Sequence, residues 1–329
     1  MLEVHRDAAA QPFTHLQRAF ERFFRGEAGR PTFKKKRHHD SFYVANDKCR
    51  VEGQYVVLPK VGRVRMREAL RFQGKLCGTI VSRNADRWSI AFQVEVGEYQ
   101  KERSGDAVVG VDLGVKALAT LSTGEKIPGP KALTKTLTKL RRLSRRLSRK
   151  QKISRNYKKA AITAARWHRR IRNLRQDYTH KLTTRLCREN QTVVIENLAV
   201  KNMAKNRRLA RVLSDASLGE LRRQLTYKAL IFGTLLVIAD RWFPSSKRCS
   251  CCGHVKDSLS LSERIFRCDA CDHVEDRDTN AARNLELLGW ATPEDTPVER
   301  GALVRCAHRM KLPSGKQEPN RVHACTQKG

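Results

Sequence analysis

The spacing of hydrophobic residues changes repeatedly along this chain, and each change marks a new kind of element. In residues 12–25, Leu16, Phe20, Phe23 and Phe24 recur at helical spacing, and Gly26, Gly29 and Pro31 follow; the pattern predicts one short helix with a firm stop. From 41 to about 98 the apolar residues fall into short runs, SFYVA, QYVVLP, GRVRMR, LCGTIVSR and WSIAFQVEV, separated by glycines and the turn-prone NADR. Strands this short and this regularly spaced predict a small β-barrel or sandwich. Ala107–Val111 then reads as a buried strand running into Asp112, with Lys116–Leu121 and Glu125–Ile127 completing a meander turned at Ser122-Thr123-Gly124. Thr192–Ile195 is a second buried strand, ending in Glu196, and Thr234–Ala239 a third. Between the first two, residues 131–190 are helical in pattern. Leu133, Leu137, Leu140, Leu143 and Leu147 form one apolar stripe; Ile162, Trp167, Ile171, Leu174, Tyr178, Leu182 and Leu186 form another. Together they predict a helical hairpin with one packed face. A helix at about 214–232 precedes the third strand, and Asp278–Trp290 reads as a helix with Asp278 as its N-cap or first-turn acid. Beyond Pro293 the chain turns polar and irregular, so a disordered tail is expected over 293–329.

Charge sharpens this picture. The 329 residues carry 67 Lys and Arg against 33 acids, a formal net charge of +34. So large an excess strains a compact fold by self-repulsion, and a polyanionic partner relieves it through counterion release. The excess is unevenly placed: residues 131–190 hold 21 Lys and Arg with only Asp177 and Glu189 to pair with them. A solvated charged face normally carries both signs, so the hairpin's outer face is expected to meet nucleic-acid phosphates. Lipid is a weaker partner, since no run of eighteen apolar residues and no lipid-anchor signal occurs. The length suits about two domains at ~150 residues each, and 40% hydrophobic residues is ordinary for a protein with a real core.

Ten cysteines occur without an apolar leader in MLEVHRDAAAQPFTHLQRAF, which favours a reducing cytoplasm and metal ligation over a disulfide framework. Cys249-x-x-Cys252 and Cys268-x-x-Cys271 are two knuckles fifteen residues apart. That spacing suits four-thiolate Zn²⁺, and a closed tetrahedral shell makes the site structural. An iron–sulfur cluster or idle thiols are the alternatives. Cys251 is a spare thiol inside the first knuckle, and Cys306, His308, His323 and Cys325 in the tail are read as unstructured.

The remaining chemistry is acidic. Asp112 and Glu196 each end a buried-type strand, and Asp278 opens a helix. One such acid is ordinarily a turn or cap residue. Three, in a strongly cationic chain, can be drawn together by strand ends on one sheet edge and a helix N-terminus. Clustered carboxylates hold Mg²⁺ or Mn²⁺, and two such ions can activate water and stabilise the leaving oxygen of a phosphodiester.

GVDLGVKALAT, VVIENL, WFPSSKRCSCCG and CDHVEDRDTNAARN, in that order, resemble the TnpB (OrfB) proteins of insertion-sequence transposons, relatives of the type V CRISPR effector nucleases. The resemblance spans roughly residues 12–300 and is strongest over 107–290. It implies an α+β multidomain chain. A small β-barrel, wedge-like domain behind a recognition helix would fill 1–105. An RNase H-like (RuvC) α/β nuclease domain would fill 106–244 and 276–292, with the basic hairpin at 131–190. A zinc ribbon at 245–275 would interrupt it. The family's catalytic acids fall on Asp112, Glu196 and Asp278, Asp276 being the rival that the D-x-N-A-A-x-N register disfavours. Its zinc thiols fall on Cys249, Cys252, Cys268 and Cys271. By the same resemblance the protein would bind a transposon-encoded guide RNA and, with Mg²⁺ or Mn²⁺, cut target DNA that matches the guide. Members ordinarily carry a further N-terminal stretch, so this chain is expected to begin inside the last helix of the recognition lobe. A truncated remnant that only binds RNA or DNA is the alternative, and the older one is a transposase that joins strands itself.

Overall fold

Short alternating strands bury one face each and need a partner layer, and the first part of the chain supplies two such layers. The computed structural model describes residues 5–32, 40–97, 101–260, 262–291 and 304–307. The chain forms two units, one of Met1–Tyr99 with Leu140–Arg170 and one of Gln100–Lys139 with Ile171–Gly329.

In the first unit, helix α1 (Arg6–Phe24) begins well before residue 12 and runs through Pro12, whose missing N–H removes one helical bond. The His5 ring accepts from the Asp7 amide at its start, and Asp7 Oδ2 accepts the Ala45 amide at 2.9 Å, tying α1 to the first strand. Strands β1 (Ser41–Ala45), β2 (Arg50–Glu52), β3 (Tyr55–Leu58), β4 (Gly62–Arg65), β5 (Lys75–Asn84) and β6 (Arg87–Glu95) follow. They make two antiparallel three-stranded sheets, β1-β5-β6 and β2-β3-β4, in place of one closed ladder. The two sheets share a core of Val44, Cys49, Val56, Leu58 and Val81. Strand β2 escapes the hydrophobic pattern because Arg50 and Glu52 leave Val51 as its single apolar residue.

The basic hairpin consists of α2 (Ala132–Ser148) and α3 (Arg155–Glu189). Its central part, Leu140–Arg170, belongs to the first unit and not, as the family resemblance implies, wholly to the second. The physical reason is visible in α3: Arg166 and Arg169 both donate to Asp86, at 3.0 and 2.8 Å, in the β5–β6 turn.

The second unit is built on a six-stranded sheet. Its strands are β7 (Ala107–Leu113), β8 (Ala119–Leu121), β9 (Lys126–Ile127), β10 (Asn190–Ile195), β11 (Leu235–Ala239) and, named out of sheet order, β14 (Val304–Ala307). The order is β14-β11-β10-β7-β8-β9. β7, β8 and β9 form an antiparallel meander, while β10, β11 and β14 run parallel to β7. Parallel central strands are covered on both faces and therefore read as unbroken apolar runs; Val193, Val194 and Ile195 are fully buried. On one face lies the main core, with Val111, Leu186, Leu221, Leu225 and Leu236, fed by α3, α4 (Val200–Met203), α5 (Arg207–Ala216) and α6 (Leu218–Phe232). Asp215 of α5 caps α2, accepting the Leu133 and Thr134 amides at 3.0 Å each. On the other face α7 (Arg277–Trp290) packs Leu285 and Leu288 against Val194, Val237 and Ala239. A ribbon hairpin, β12 (Ile265–Arg267) and β13 (Val274–Asp276), leads directly into α7.

β14 corrects one expectation. Residues 304–307, expected to be disordered, extend the sheet as a parallel neighbour of β11, whose open edge offers unpaired backbone groups. His308, His323 and Cys325, and the basic loop at 34–39, lie outside the described residues. Among the described residues no helix is long and apolar enough to cross a membrane.

Candidate functional site

The site follows from register. β7 and β10 run parallel with Val111 opposite Ile195, so the next residues, Asp112 and Glu196, emerge together at the carboxyl edge of the sheet. α7 lies across the same strands and starts at that edge. Its N-cap is Asp276, whose Oδ1 accepts the amides of Asp278 and Thr279 at 3.1 and 3.2 Å, the N-cap geometry expected of an acid. Asp278 is thereby placed in the first turn, facing the strand ends.

Electrostatics record the gathering. Burial, then the nearby charges of Glu196 and Asp278, push Asp112 up to about 8, with Arg277 opposing. Burial likewise raises Glu196, and Asp278 adds to it, against a hydrogen bond from Ser245 that lowers it. Carboxylates forced into one poorly solvated place resist ionisation together. Asp276 behaves differently. Burial raises it, but Lys126 Nζ at 2.6 Å and the α7 amides more than offset that and hold it below the usual range. The two acids of the D-R-D run are thus sorted: Asp276 is committed to a cap and an ion pair, and Asp278 faces Asp112. Arg277 lies 3.4 Å from Asp278. The structure brings together all three acids singled out in the sequence.

Three polar residues that sequence reasoning passed over hold this cluster. Ser245 Oγ donates to Glu196 Oε1 at 2.5 Å. Asn284 Nδ2 donates to the carbonyls of Ser245 and Arg248 at 2.9 and 2.6 Å. Asn280 donates to the Arg248 carbonyl at 2.7 Å and accepts the Ser250 amide at 2.9 Å. Both asparagines are fully buried on α7, so the helix that carries Asp278 also grips the chain running from Ser245 into the first cysteine knuckle. The available signal was the N-x-x-x-N spacing, which places two amides on one helix face.

The four thiols form a separate centre. Cys249, Cys252, Cys268 and Cys271 offer sulfurs that all lie within 4.8 Å of one another. Cys249 and Cys271 are 3.7 Å apart, and Cys252 and Cys268 3.5 Å. Zn–S bonds of about 2.3 Å in a tetrahedron put sulfurs about 3.8 Å apart, so the quartet fits one tetrahedral ion, and these separations are far too long for disulfides. Each knuckle is closed by a backbone turn: Cys249 N donates to His254 O at 2.8 Å and Cys268 N to His273 O at 2.9 Å. The turns need a left-handed residue, supplied by Gly253 (φ 77°) and by Asp272 (φ 55°). At Cys268 burial opposes ionisation, but the Ala270 and Cys271 amides and the neighbouring thiols outweigh it and bring the thiol down to about 7. Among the described residues the thiols are the group of possible ligands gathered this tightly; the three carboxylates stand further apart.

The family model described as "Probable transposase" (OrfB_IS605) matches residues 91–207, and the model of the Cas12f1-like TNB domain matches 219–285. A Streptomyces pristinaespiralis protein described as "Putative RNA-guided DNA endonuclease" is 42% identical over 98% of this chain and 80% of its own length. InsQ of Escherichia coli K12, given the same description, is 35% identical over 98% of this chain and 82% of its own. A Cas12f1 chain, solved by cryo-EM with sgRNA and target DNA, covers 85% of this chain and 71% of itself at a TM-score of 0.53 and 16% identity, a likeness of fold. With its thiol quartet and its gathered acids in place, the chain belongs to the TnpB (OrfB) family of insertion-sequence transposon proteins.

Proposed function

We propose that this protein is an RNA-guided DNA endonuclease whose RuvC-type site is Asp112, Glu196 and Asp278. The observation that carries the reading is their convergence. Residues from three distant segments meet at one sheet edge, where burial first, and then repulsion from Glu196 and Asp278, raise Asp112 to about 8. Such a shift is typical of a functional site. The antiparallel meander continued by parallel β10 and β11 supports an RNase H-like assignment, because it sets Asp112 beside Glu196.

The donor set is all oxygen, which suits Mg²⁺ or Mn²⁺. Asp112, Glu196 and Asp278 would hold those ions, which when bound supply an activated water and charge stabilisation for phosphodiester hydrolysis. The chain's own residues orient the ligands. Ser245 fixes one oxygen of Glu196. Lys126 keeps Asp276 out of the cluster. Arg277 offsets part of the negative charge around Asp112. Zn²⁺ in the thiol quartet is a structural ion in this reading, closing a ribbon at 245–275 between two parts of the nuclease domain. The two sheets of the first unit serve as the wedge-like domain. The cationic faces of α2 and α3 hold guide RNA or the guide–target duplex by its phosphates, so that base pairing reads the target.

The test is purified protein, loaded with the RNA transcribed from its own element, assayed on matched and mismatched DNA with Mg²⁺. Cutting of matched DNA that disappears in Asp112→Ala supports the proposal. Binding of matched DNA without cutting would make the chain a binding-only relative.

A further inference from the structure

An exposed tryptophan, Trp242, sits in the turn whose flanking residues line a cleft with Glu196, and nothing in the chemistry above uses it. Trp242 is 81% exposed, more than the other exposed tryptophans, Trp88 at 59% and Trp290 at 60%. It occupies the turn that leaves β11, between Arg241 and Phe243, which line a small cleft together with Glu196, Asn197 and Ser245. The turn is fixed. The Trp242 amide donates to Asp240 Oδ1 at 2.8 Å, the Phe243 amide donates to the Asp240 carbonyl at 3.1 Å, and the Phe243 side chain packs on the core beneath α7. The fold therefore presents the indole on a rigid support while its neighbour is tucked in. One exposed aromatic is ordinary by itself; this one is set apart by its place between two residues that line the cleft with Glu196. The Arg241 guanidinium lies 5.4 Å from the centre of the Trp242 ring, so a π-face and a cation are offered side by side.

This pairing suits one class of ligand. A DNA strand entering a cluster of three carboxylates meets repulsion at its phosphates and needs a handle that does not depend on backbone charge alone. Aromatic faces give it by stacking on unpaired bases whatever their sequence, with an adjacent Arg adding a cationic contribution. We infer that Trp242, supported by Arg241, is a stacking platform for an unpaired base of the DNA strand delivered to Asp112, Glu196 and Asp278. The inference rests on the endonuclease reading. It makes Trp242 a positioning residue: it acts on the strand, not on the scissile phosphate.

The experiment has two readouts. In single-turnover cutting of matched DNA, Trp242→Ala is expected to slow cleavage about tenfold, with equilibrium binding of the same DNA to the guide-loaded protein unchanged within twofold. Trp242→Phe restores most of the rate, since it keeps a π-face. Independently, ultraviolet crosslinking of an oligothymidylate bearing 5-iodouracil to Asp112→Ala protein is expected to label the peptide that contains Trp242, a result that needs no cleavage. Wild-type cutting by Trp242→Ala together with no label on that peptide overturns the inference while leaving the nuclease assignment intact. A label on Trp242 in a protein whose wild type never cuts matched DNA overturns the nuclease assignment and keeps the stacking site. A rate loss that Trp242→Phe does not restore, without the label, makes the residue structural and overturns the platform.

Discussion

Replacing Gly110 with alanine adds one methyl group where α7 crosses β7, two residues before Asp112. A Cβ at this position would lie 1.9 Å from the Ala282 carbonyl oxygen and 2.5 Å from the Glu286 backbone nitrogen. Both are backbone atoms of α7, so no side-chain rotation relieves the clash. Non-bonded heavy atoms want roughly 3.5 Å, so α7 must retreat from the sheet by more than ~1 Å. Overpacking of this kind costs about 1–3 kcal/mol of stability. The catalytic consequence is larger. α7 carries Asp278, while Asp112 and Glu196 are fixed on the strands, so the retreat opens the cluster; a ~1 Å misplacement of a reacting geometry costs on the order of 100-fold in rate. Denaturant unfolding and single-turnover cutting of matched DNA, measured on the same Gly110→Ala preparation, check both parts. The expected protein is folded, holds its zinc, binds guide RNA as wild type does and cuts at least 50–100-fold more slowly. Gly110→Ala cutting at the wild-type rate would refute the claim that close contact between α7 and β7 sets the site.

The other predictions concern the carboxylate cluster and the thiol quartet. Because Asp112 is raised to about 8, well above the unfolded value near 3.9, the folded protein holds a proton there that the unfolded chain releases. Its stability without divalent ions but with zinc retained should fall as pH rises from about 4 to 8, at up to ~1.4 kcal/mol per pH unit, and Mg²⁺ should restore it at pH 8. Melting temperatures at pH 6 and 8.5, with and without Mg²⁺, test this, and equal Mg²⁺ stabilisation at both pH values would contradict it. Cys268→Ser should release zinc and unfold the ribbon, as judged by metal analysis and proteolysis, whereas Asp278→Ala should abolish cutting and keep both zinc and nucleic-acid binding. Asn284→Ala removes the donor to the Ser245 carbonyl and one of the two donors to the Arg248 carbonyl, which keeps Asn280, a cost of about 1–3 kcal/mol. It should weaken zinc retention and cutting together, and a variant that lost neither would show that α7 does not support the knuckle.

What could be read beforehand depended on how local the signal was. The cysteine quartet was legible because ligand spacing is written in two short knuckles. β7, β10 and β11 were legible because strands covered on both faces are apolar without interruption. β2 was not, since Val51 alone is apolar there, and β14 was not, since its residues look like tail until an open edge is available. The hairpin stripes were read as faces, and Leu140, Leu143, Ile171, Leu182 and Leu186 are indeed buried. Ile162 and Leu174, at 40% and 46% exposure, are not: Ile162 falls across the helix from the buried stripe of Ala164, Ile171, Leu182 and Leu186, and Leu174 falls at its margin. The acids are far apart in sequence, so their convergence could only be argued from element ends and from the family resemblance. The D-x-N-A-A-x-N register of the resemblance favours Asp278 over Asp276, and the cap and the Lys126 ion pair of Asp276 are in keeping with that choice. Ser245, Asn280 and Asn284 look like ordinary loop and helix residues until the backbone groups they satisfy are known.

The central claim is that Asp112, Glu196 and Asp278 form a guide-directed nuclease site. Its most direct measurement is cleavage of guide-matched and mismatched DNA by the RNA-loaded protein with Mg²⁺, run beside Asp112→Ala, Glu196→Gln and Asp278→Ala. The account predicts cutting of matched DNA alone, lost in all three variants while matched DNA remains bound. Cutting that persists in any of the three, or intact matched DNA on active-concentration wild-type protein, would contradict it.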